Sequence, residues 1–226
     1  MSDLHGNRGK SVVINTNQME WQASPSEGVW RKRLELIGDT EKGMVTSIVR
    51  FDPGAGFARH DHPLGEEVLV LEGTFADEHD SYPKGTWTLL PNNTPHAPKT
   101  EAGCTLLVKL CQYAGNHRPA YRKDTTEQTG WRESAPGRLR FDLYDDEDHP
   151  EKIYLSRLAP GTRVQHHTHD GGEEVFVIEG EIHDDDGRYP AGTWLRLADG
   201  SSHAPRTDTG CLLYVRSGHL KADVAA

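Results

Sequence analysis

The feature that most constrains this chain is a gapless internal repeat. The segment HDHPLGEEVLVLEG, from His60 to Gly73, aligns with HTHDGGEEVFVIEG, from His167 to Gly180, and every matched pair is 107 residues apart. The same offset relates YPKGTW to YPAGTW and one HAP triplet to a second. This offset is too long for a solenoid repeat of about 20–50 residues and matches a duplicated small domain. The sequence therefore predicts two tandem domains of one fold.

The boundary between the two copies is expected near residue 120. A length of 226 residues fits either one large domain or two small ones, so the repeat decides. The stretch KDTTEQTGWRES, from Lys123 to Ser134, is polar and lacks apolar periodicity, so we interpret it as a connecting segment. We predict a first domain over residues 1–120, including a leading segment, and a second over residues 121–226.

Short apolar runs separated by turn residues predict an all-β fold for each copy. Runs such as VLVLEG, TWTLLP and CTLLVKL alternate with clusters of Gly, Pro, Asn and Asp, as in antiparallel β-barrels and sandwiches. The segment from Trp30 to Ile37 is compatible with a helix by composition. Its counterpart RLRFDLY alternates in polarity, so we predict a strand in both copies.

Charge and composition limit the partners of the chain. The formal net charge is −10 with His neutral, and no Lys or Arg cluster stands out, which argues against nucleic-acid and membrane partners. The first residues lack an apolar secretory core and no apolar run approaches a membrane span, so we expect a cytoplasmic protein. Three cysteines, Cys104, Cys111 and Cys211, have no CxxC spacing and are expected to be reduced and mostly buried. Exposed sheet edges make a homodimer possible.

Each copy repeats four residues with the spacing of a metal site. Residues two apart in a strand share a face, so the two imidazoles of an HxH pair can point at one place. A glutamate four residues later returns to that face across a tight turn, and a third histidine follows thirty residues after the glutamate. The predicted ligands are His60, His62, Glu66 and His96 in the first copy, and His167, His169, Glu173 and His203 in the second.

The ligand types indicate a transition metal. Three imidazole nitrogens and one carboxylate suit Zn(II), Fe(II), Mn(II), Ni(II) or Cu(II), whereas Ca(II) requires more oxygen ligands. We predict up to two divalent transition metal ions per chain. Strand parity assigns Glu66 and Glu173 to the ligand face and Glu67 to the opposite face. His166 matches Arg59 at the repeat offset, so we expect it to be a neighbour of the site and not a ligand.

The repeated spacing resembles the cupin superfamily. Both copies contain Gly-x5-His-x-His-x3-Glu-x6-Gly, which resembles the first cupin motif, and the second motif is met in part by Gly85, Pro91 and His96 and by their counterparts. The strings GEEVLVLEG, DEHDSYPKGTW, PHAPKTEAGC and EGEIHDDDGRYPAGTW are similar to the ChrR-like cupins, named after the cupin half of a zinc-containing anti-sigma factor. The resemblance extends from about Trp21 to His219. It implies two tandem cupin barrels (double-stranded β-helix, or jelly-roll) and metal binding by the eight residues above.

The resemblance leaves two functions open. Some ChrR-like cupins are oxygenases, which implies a metal-dependent oxygenase, or a related lyase or isomerase, acting on a small dicarbonyl or hydroxyketone compound. The alternative is a metal-binding regulatory or sensor protein of the anti-sigma type. Such anti-sigma factors carry a His-x3-Cys-x2-Cys zinc motif, and this sequence has no CxxC, so a sigma-binding half is not expected. In both cases the expected partner is a small-molecule ligand or substrate.

Further positions carry secondary hypotheses. Tyr82 and Tyr189 recur at the repeat offset, and we interpret them as aromatic filling of the barrel in preference to substrate contacts. The acidic loops DEHD and HDDD are interpreted as solvated hairpin tips in preference to cation sites. Arg196 stands where the first copy has Leu89. If that face points into the barrel, the second pocket is cationic, the first is apolar, and the two sites take different ligands.

Overall fold

In the computed structural model, which describes residues 3–39, 42–113 and 118–221, the regular structure is almost entirely β-strand. The predicted all-β class is confirmed. The described residues contain two one-turn 3-10 helices, Thr16–Gln18 and Gln128–Gly130. None of the helices described is long and apolar enough to cross a membrane. The ends of the two predicted domain ranges, residues 1–2 and 222–226, lie outside the described residues.

The strands are numbered here in chain order. The first nine are β1 (Val12–Asn15), β2 (Gln22–Ala23), β3 (Val29–Ile37), β4 (Met44–Phe51), β5 (Glu66–Ala76), β6 (Ser81–Pro83), β7 (Thr86–Leu90), β8 (Cys104–Leu110) and β9 (Tyr121–Asp124). The others are β10 (Trp131–Ala135), β11 (Arg138–Asp145), β12 (Lys152–Leu158), β13 (His167–Thr168), β14 (Glu173–His183), β15 (Arg188–Pro190), β16 (Thr193–Leu197), β17 (Ser202–His203) and β18 (Cys211–Ser217). Strands β3 and β11 confirm the strand predicted from Trp30 to Ile37 and in its counterpart.

The chain forms two units, each with a large antiparallel sheet. The first unit comprises Met1–Gly6 and Met19–Thr126, and the second comprises Asn7–Gln18 and Glu127–Ala226. The first sheet has the order β2-β3-β4-β8-β5-β7-β9, with β6 paired to β5. The second has the order β1-β16-β14-β18-β12-β11-β10, with β15 paired to β14, and β13 and β17 form a separate pair. Because β5, β7 and β8 recur as β14, β16 and β18, the repeat in the sequence is a repeat of strand order.

The strand at one edge of the large sheet comes from a different part of the chain in each unit. Strand β9 pairs with β7 in the first unit, and β1 takes the equivalent place beside β16 in the second. The leading segment was expected with the first domain, whereas residues 7–18 belong to the second unit; the boundary near residue 120 stays a prediction. The stretch interpreted as a connection contributes to β9 and β10, so only residues 125–130 separate these strands. Both strands are largely exposed, and an exposed edge strand has no apolar periodicity to reveal it.

The apolar core of each unit continues the ligand face of one strand. Val68 and Val70 on β5 lie two and four residues after Glu66 and belong to the core of the first unit. Val175 and Val177 follow Glu173 in the same way on β14. Since alternate residues of a strand share a face, both glutamates are held at the end of a buried apolar row. The core therefore fixes which carboxylate of each GEE pair faces inward.

Glycine is required at the end of the repeated VLVLEG and VFVIEG strings. Gly73 has φ +73° and Gly180 has φ +74°, a conformation that side chains disfavour. A Cβ atom at either position would lie 2.1 Å from a backbone oxygen, that of Gly103 or Gly210. The close approach of two chain segments thus explains why this glycine occurs in both copies.

Candidate metal centres

The first candidate centre joins four predicted residues of the first unit. His60 and His96 form an antiparallel bridge, with both backbone N–H groups bonded to the facing carbonyls at 3.0 and 2.9 Å. One ring nitrogen from each of His60, His62 and His96 lies within 4.8 Å of the others. Glu66, the first residue of β5, places Oε1 3.5 Å from His62 Nε2 and Oε2 3.2 Å from His96 Nε2. We call these four residues the first cluster.

The second candidate centre is built from the counterparts of these residues, and here the carboxylate belongs to the same close group as all three imidazoles. His167 on β13 lies opposite His203 on β17. One ligand atom from each of His167, His169, Glu173 and His203 lies within 4.8 Å of all the others. These four residues are the second cluster. His166 is outside it and lines the cavity described below, as expected from the repeat offset.

Left-handed turns carry the chain from the histidines to the glutamate. In the first unit Leu64 and Gly65 have φ of 61° and 78°, and in the second Gly171 and Gly172 have φ of 76° and 72°. The Gly65 N–H bonds to the His62 carbonyl at 3.2 Å, and the second unit repeats this bond. Such turns reverse the chain within a few residues, so the glutamate at the start of the next strand faces the histidines.

Backbone carbonyls orient one imidazole in each cluster. His60 Nδ1 is 2.8 Å from the Ala58 carbonyl oxygen, and His167 Nδ1 is 2.9 Å from that of Gln165. A carbonyl can only accept, so Nδ1 carries the hydrogen and Nε2 keeps its lone pair. This tautomer offers Nε2 to a metal ion, which is how outer acceptors commonly prepare histidine ligands.

An aspartate with a buried side chain faces the third imidazole of each cluster, and in the second cluster the two are hydrogen-bonded. Asp184 Oδ2 lies 3.1 Å from His203 Nδ1, and Asp77 Oδ2 lies 3.5 Å from His96 Nδ1. Asp77 is 7% exposed, so interpreting the two acidic loops as solvated tips was wrong at these positions. The sequence reasoning missed both residues. The available signal was that Asp77 and Asp184 are themselves 107 residues apart.

Two buried tyrosines support these aspartates. Tyr189 donates its hydroxyl to Asp184 Oδ1 at 2.9 Å, and Tyr82 donates to Asp77 at 3.2 Å. Burial, together with the facing aspartate, raises the pKa of Tyr82 to about 12, so the phenol stays protonated and remains a donor. The interpretation of these residues as barrel filling is therefore incomplete, because each one also orients an aspartate–histidine pair.

The donor atoms of both clusters fit a divalent cation. Among the described residues, Nε2 of His96, His169 and His203 and Oε2 of Glu66 are buried without a hydrogen-bond partner. Leaving a buried polar atom unsatisfied costs about 1–3 kcal/mol, and more for a charged group. A cation at the centre of each cluster satisfies these atoms together, and the nitrogen-rich set suits a transition metal.

The electrostatics of the clusters agree with this fit. Burial raises the pKa of Glu66 to about 8, with a further contribution from Asp77, and burial raises the pKa of Glu173 to about 7. Burial lowers the pKa of His62 to about 3 and that of His169 to about 4, and neighbouring imidazoles add to both effects. His62 and His169 are therefore neutral, the form that binds metal, and burial disfavours the charged form of each carboxylate until a cation is bound.

A cavity of small-molecule size adjoins each cluster. The first cavity has a volume of about 640 Å³ and the second about 620 Å³, both within the range of ligand pockets. The walls of the first are mostly apolar, with Val49, Phe51, Phe57, Phe75 and Leu106, but they also include the charged side chains of Arg31, Lys42 and Arg59. The walls of the second include Arg138, Tyr154, Ser156, Val164 and Gln165. The second cavity is thus the more polar.

The guanidinium in the second cavity is not the one expected from the sequence. Arg196 lies opposite Glu174 on β14, so it shares the face that points away from Glu173. It is fully buried, and its Nη2 donates to the Asn7 carbonyl at 3.0 Å. The hypothesis that Arg196 makes the second pocket cationic is therefore wrong. Arg138 on β11 supplies the positive charge.

Solved structures share this fold. The chain is similar to a candidate dioxygenase from Nostoc punctiforme, with TM-score 0.76, 16% identity, and coverage of 95% of this chain and 85% of that one. It is similar to the pirin YhhW of Escherichia coli in complex with nickel(II), with TM-score 0.69, 13% identity and coverage of 92% and 98%. A variant of the salicylate 1,2-dioxygenase from Pseudoaminobacter salicylatoxidans gives TM-score 0.62, 16% identity and coverage of 77% and 71%. At these identities the likeness establishes the fold alone.

The family is established by sequence. Among proteins with curated descriptions, none matches this chain. The family model described as the ChrR cupin-like domain matches residues 9–114 and again residues 123–221, which together make up most of the chain. The two matches confirm both the resemblance seen in the repeated motifs and the two tandem cupin folds. The chain therefore belongs to the ChrR cupin-like domain family.

Proposed function

We propose that the protein is a metal-dependent oxygenase, or a related lyase or isomerase, acting on a small dicarbonyl or hydroxyketone compound. The first and second clusters would each hold one divalent transition metal ion, such as zinc, iron(II), nickel or manganese. The observation that carries the proposal is the position of each cluster at the wall of a cavity large enough for a small molecule. A ligand in either cavity would lie beside the metal ligands.

The residues of the chain have distinct roles in this proposal. Asp184 holds the His203 imidazole in a fixed tautomer and orientation, and Asp77 faces the equivalent nitrogen of His96. The apolar walls of the first cavity pack against the carbon skeleton of the substrate and exclude water. A divalent ion, when bound, supplies Lewis acidity towards a chelating carbonyl or enolate, and iron(II) also supplies a site for dioxygen.

The ChrR description of the family favours a second candidate function. In that case the protein is a metal-binding regulatory or sensor protein whose cavity binds a small effector and does not turn it over. A cytoplasmic location, a homodimer and the absence of nucleic-acid and membrane partners stay predictions in both cases. The two functions make different demands, because only an enzyme converts its ligand, and the oxygenase consumes dioxygen as well.

Metal analysis tests the metal centres directly. The purified wild type is compared with His96→Ala, His203→Ala and the control His166→Ala, which changes a histidine beside the second cluster but outside it. We expect each of the first two variants to lose one metal equivalent and the control to lose none. Unchanged metal content in His96→Ala or His203→Ala would remove that centre from the proposal.

Oxygen uptake then separates enzyme from sensor. The protein reconstituted with Fe(II) is supplied with a panel of small diketones and hydroxyketones while dissolved oxygen is recorded. Substrate-dependent uptake that is absent from the His96→Ala, His203→Ala double variant supports the oxygenase. A fully metal-loaded protein that consumes no oxygen and converts none of these compounds would support the sensor instead.

A further inference from the structure

Arg138 lies half-buried in the wall of the second cavity, beside the second cluster. Its Nε donates to Ser156 Oγ at 3.0 Å, and both residues line the cavity together with Glu173. Arg138 therefore brings a fixed positive charge close to the proposed metal ligands.

This guanidinium has no carboxylate partner in the part of the chain that the structure describes, within an N–O distance of 4.0 Å. Its neighbours differ, because Arg132 and Arg140 both pair with Asp142. The nitrogens of a guanidinium form a fork that matches a carboxylate. A guanidinium that has hydroxyl but no carboxylate partners and lies in the wall of a cavity can thus receive an anion.

The first cavity has an apolar residue at the position of Arg138. Strand register defines this position. Arg138 lies opposite Leu158. The repeat counterpart of Leu158 is Phe51, which lies opposite Val29, so Val29 occupies the position of Arg138 in the first unit. Val29 is buried in the apolar core of the first unit. The repeat places Val49 in the first unit where the second has Ser156. The first cavity does contain a guanidinium, that of Arg31, but Arg31 lies opposite Val49 and has no hydroxyl across from it. The first cavity therefore has no arginine at the register position of Arg138.

Hydroxyl groups complete the arrangement around Arg138. Tyr154 also lines the cavity, its side chain is buried, and its hydroxyl lies beside Arg138. A tyrosine phenol is neutral at physiological pH. Ser156 accepts from Arg138 and keeps its own hydrogen to donate. A guanidinium and two hydroxyls can all donate hydrogen bonds to a carboxylate. Since the hydroxyls are neutral, they do not repel the bound anion.

We propose that the second cavity binds a small oxo acid, with the carboxylate at Arg138 and the neighbouring carbonyl oxygen directed at the second cluster. This inference rests on the proposed metal-dependent function and names the substrate class of the second site. Arg138 acts as a specificity-determining residue. The proposal concerns the second cavity only, and the Arg31 variant below tests the first cavity separately.

The test compares two probes of equal size, pyruvate and 2,3-butanedione, which differ by a carboxylate oxygen in place of a methyl group. Binding of each is measured by calorimetry on zinc-loaded protein and on metal-free protein. We expect the wild type to bind pyruvate more tightly than 2,3-butanedione, at one equivalent per chain. In Arg138→Gln, pyruvate binding should weaken by about 10- to 100-fold, the cost of a lost charge-assisted hydrogen bond, with 2,3-butanedione unchanged.

Three further variants complete the experiment. Arg132→Gln removes the same charge from an exposed position outside the cavity and should bind pyruvate as the wild type does. Arg138→Lys keeps the charge without the fork and should fall between the wild type and Arg138→Gln. Arg31→Gln reports on the first cavity, where Arg31 lies over Phe57. Melting temperatures of all variants show whether each is folded.

The experiment distinguishes failure of the anion site from failure of the proposed metal-dependent function. Pyruvate binding that is equal in Arg138→Gln and the wild type, or lost only in Arg31→Gln, would overturn the anion site while leaving metal binding intact. Failure to take up zinc would overturn the proposed function, but the comparison in metal-free protein would still test Arg138. If Arg138→Gln is unfolded, Arg138→Lys and the preference of the wild type for pyruvate decide the question.

Discussion

Replacing the buried carboxylate of the first cluster should stabilise the metal-free protein and destabilise the metal-bound protein. Glu66 is buried at the start of β5, and its pKa is raised from 4.5 to about 8, chiefly by burial. Because the folded pKa exceeds the unfolded one, the stability that this group contributes is complete below pH 4.5 and is lost as pH rises through about 8. Each pKa unit corresponds to about 1.4 kcal/mol, so the whole loss is on the order of 5 kcal/mol.

Glu66→Gln removes this dependence, since the amide stays neutral. We expect the free energy of unfolding of metal-free Glu66→Gln to exceed that of the wild type by an amount that grows between pH 5 and pH 8. Adding a divalent metal should reverse the order, because the cation compensates the charge of the wild-type carboxylate and the amide is a poorer ligand. The control Glu72→Gln changes an exposed carboxylate on the same strand and should show neither effect.

Urea unfolding monitored by tryptophan fluorescence at several pH values, with and without zinc, measures both quantities. A difference between Glu66→Gln and the wild type that does not change with pH would refute the assignment of a buried, uncompensated carboxylate. A wild type that gains no more stability from metal than Glu66→Gln does would refute the role of this carboxylate as a ligand.

Other variants test the surroundings of the clusters. Asp184→Asn should weaken metal binding at the second cluster by about 10- to 100-fold, measured by competition with a chelating dye, whereas Asp185→Asn on the exposed part of the same loop should not. Tyr189→Phe removes the hydroxyl that donates to Asp184 and should cost about 1 kcal/mol of unfolding free energy. Gly54→Ala should lower the free energy of unfolding by about 1–2 kcal/mol, the cost of the left-handed backbone alone, because a Cβ at Gly54 meets nothing within 4 Å. Gly73→Ala should cost clearly more, because a Cβ at Gly73 meets a backbone oxygen at 2.1 Å.

The convergence of the predicted ligands followed from two simple properties of the sequence. Strand alternation separates Glu66 from Glu67, and Glu67 indeed lies on the other face, where Trp87 Nε1 donates to it at 2.7 Å. The duplication then distinguishes recurring residues from neighbours that differ between copies. Strand alternation is a local property and the duplication is visible in the sequence itself, so neither inference required knowing which strands pair.

Arg138 could not be identified as a cavity residue from the sequence, because strand register decides its place. Arg138 matches Arg31 at the repeat offset, yet Arg31 lies opposite Val49 whereas Arg138 lies opposite Leu158. The pairing in the two units thus differs by two residues relative to the repeat. A register shift of two residues leaves each side chain on the same face of the strand but moves it along the cavity. The alternation of polar and apolar residues is the same before and after such a shift, so the sequence pattern does not reveal it.

The place of β1 has a consequence for how the chain is synthesised. Thr16 Oγ1 donates to the Gly192 carbonyl, a bond between residues 176 positions apart, so this edge can form only after β16 has left the ribosome. Closing so long a loop is slow and costs conformational entropy. A fragment begun at Glu127 would leave the backbone groups of β16 unpaired on that side, a template for aggregation. Expression of the second cupin by itself would therefore require residues 7–18 to be supplied as well.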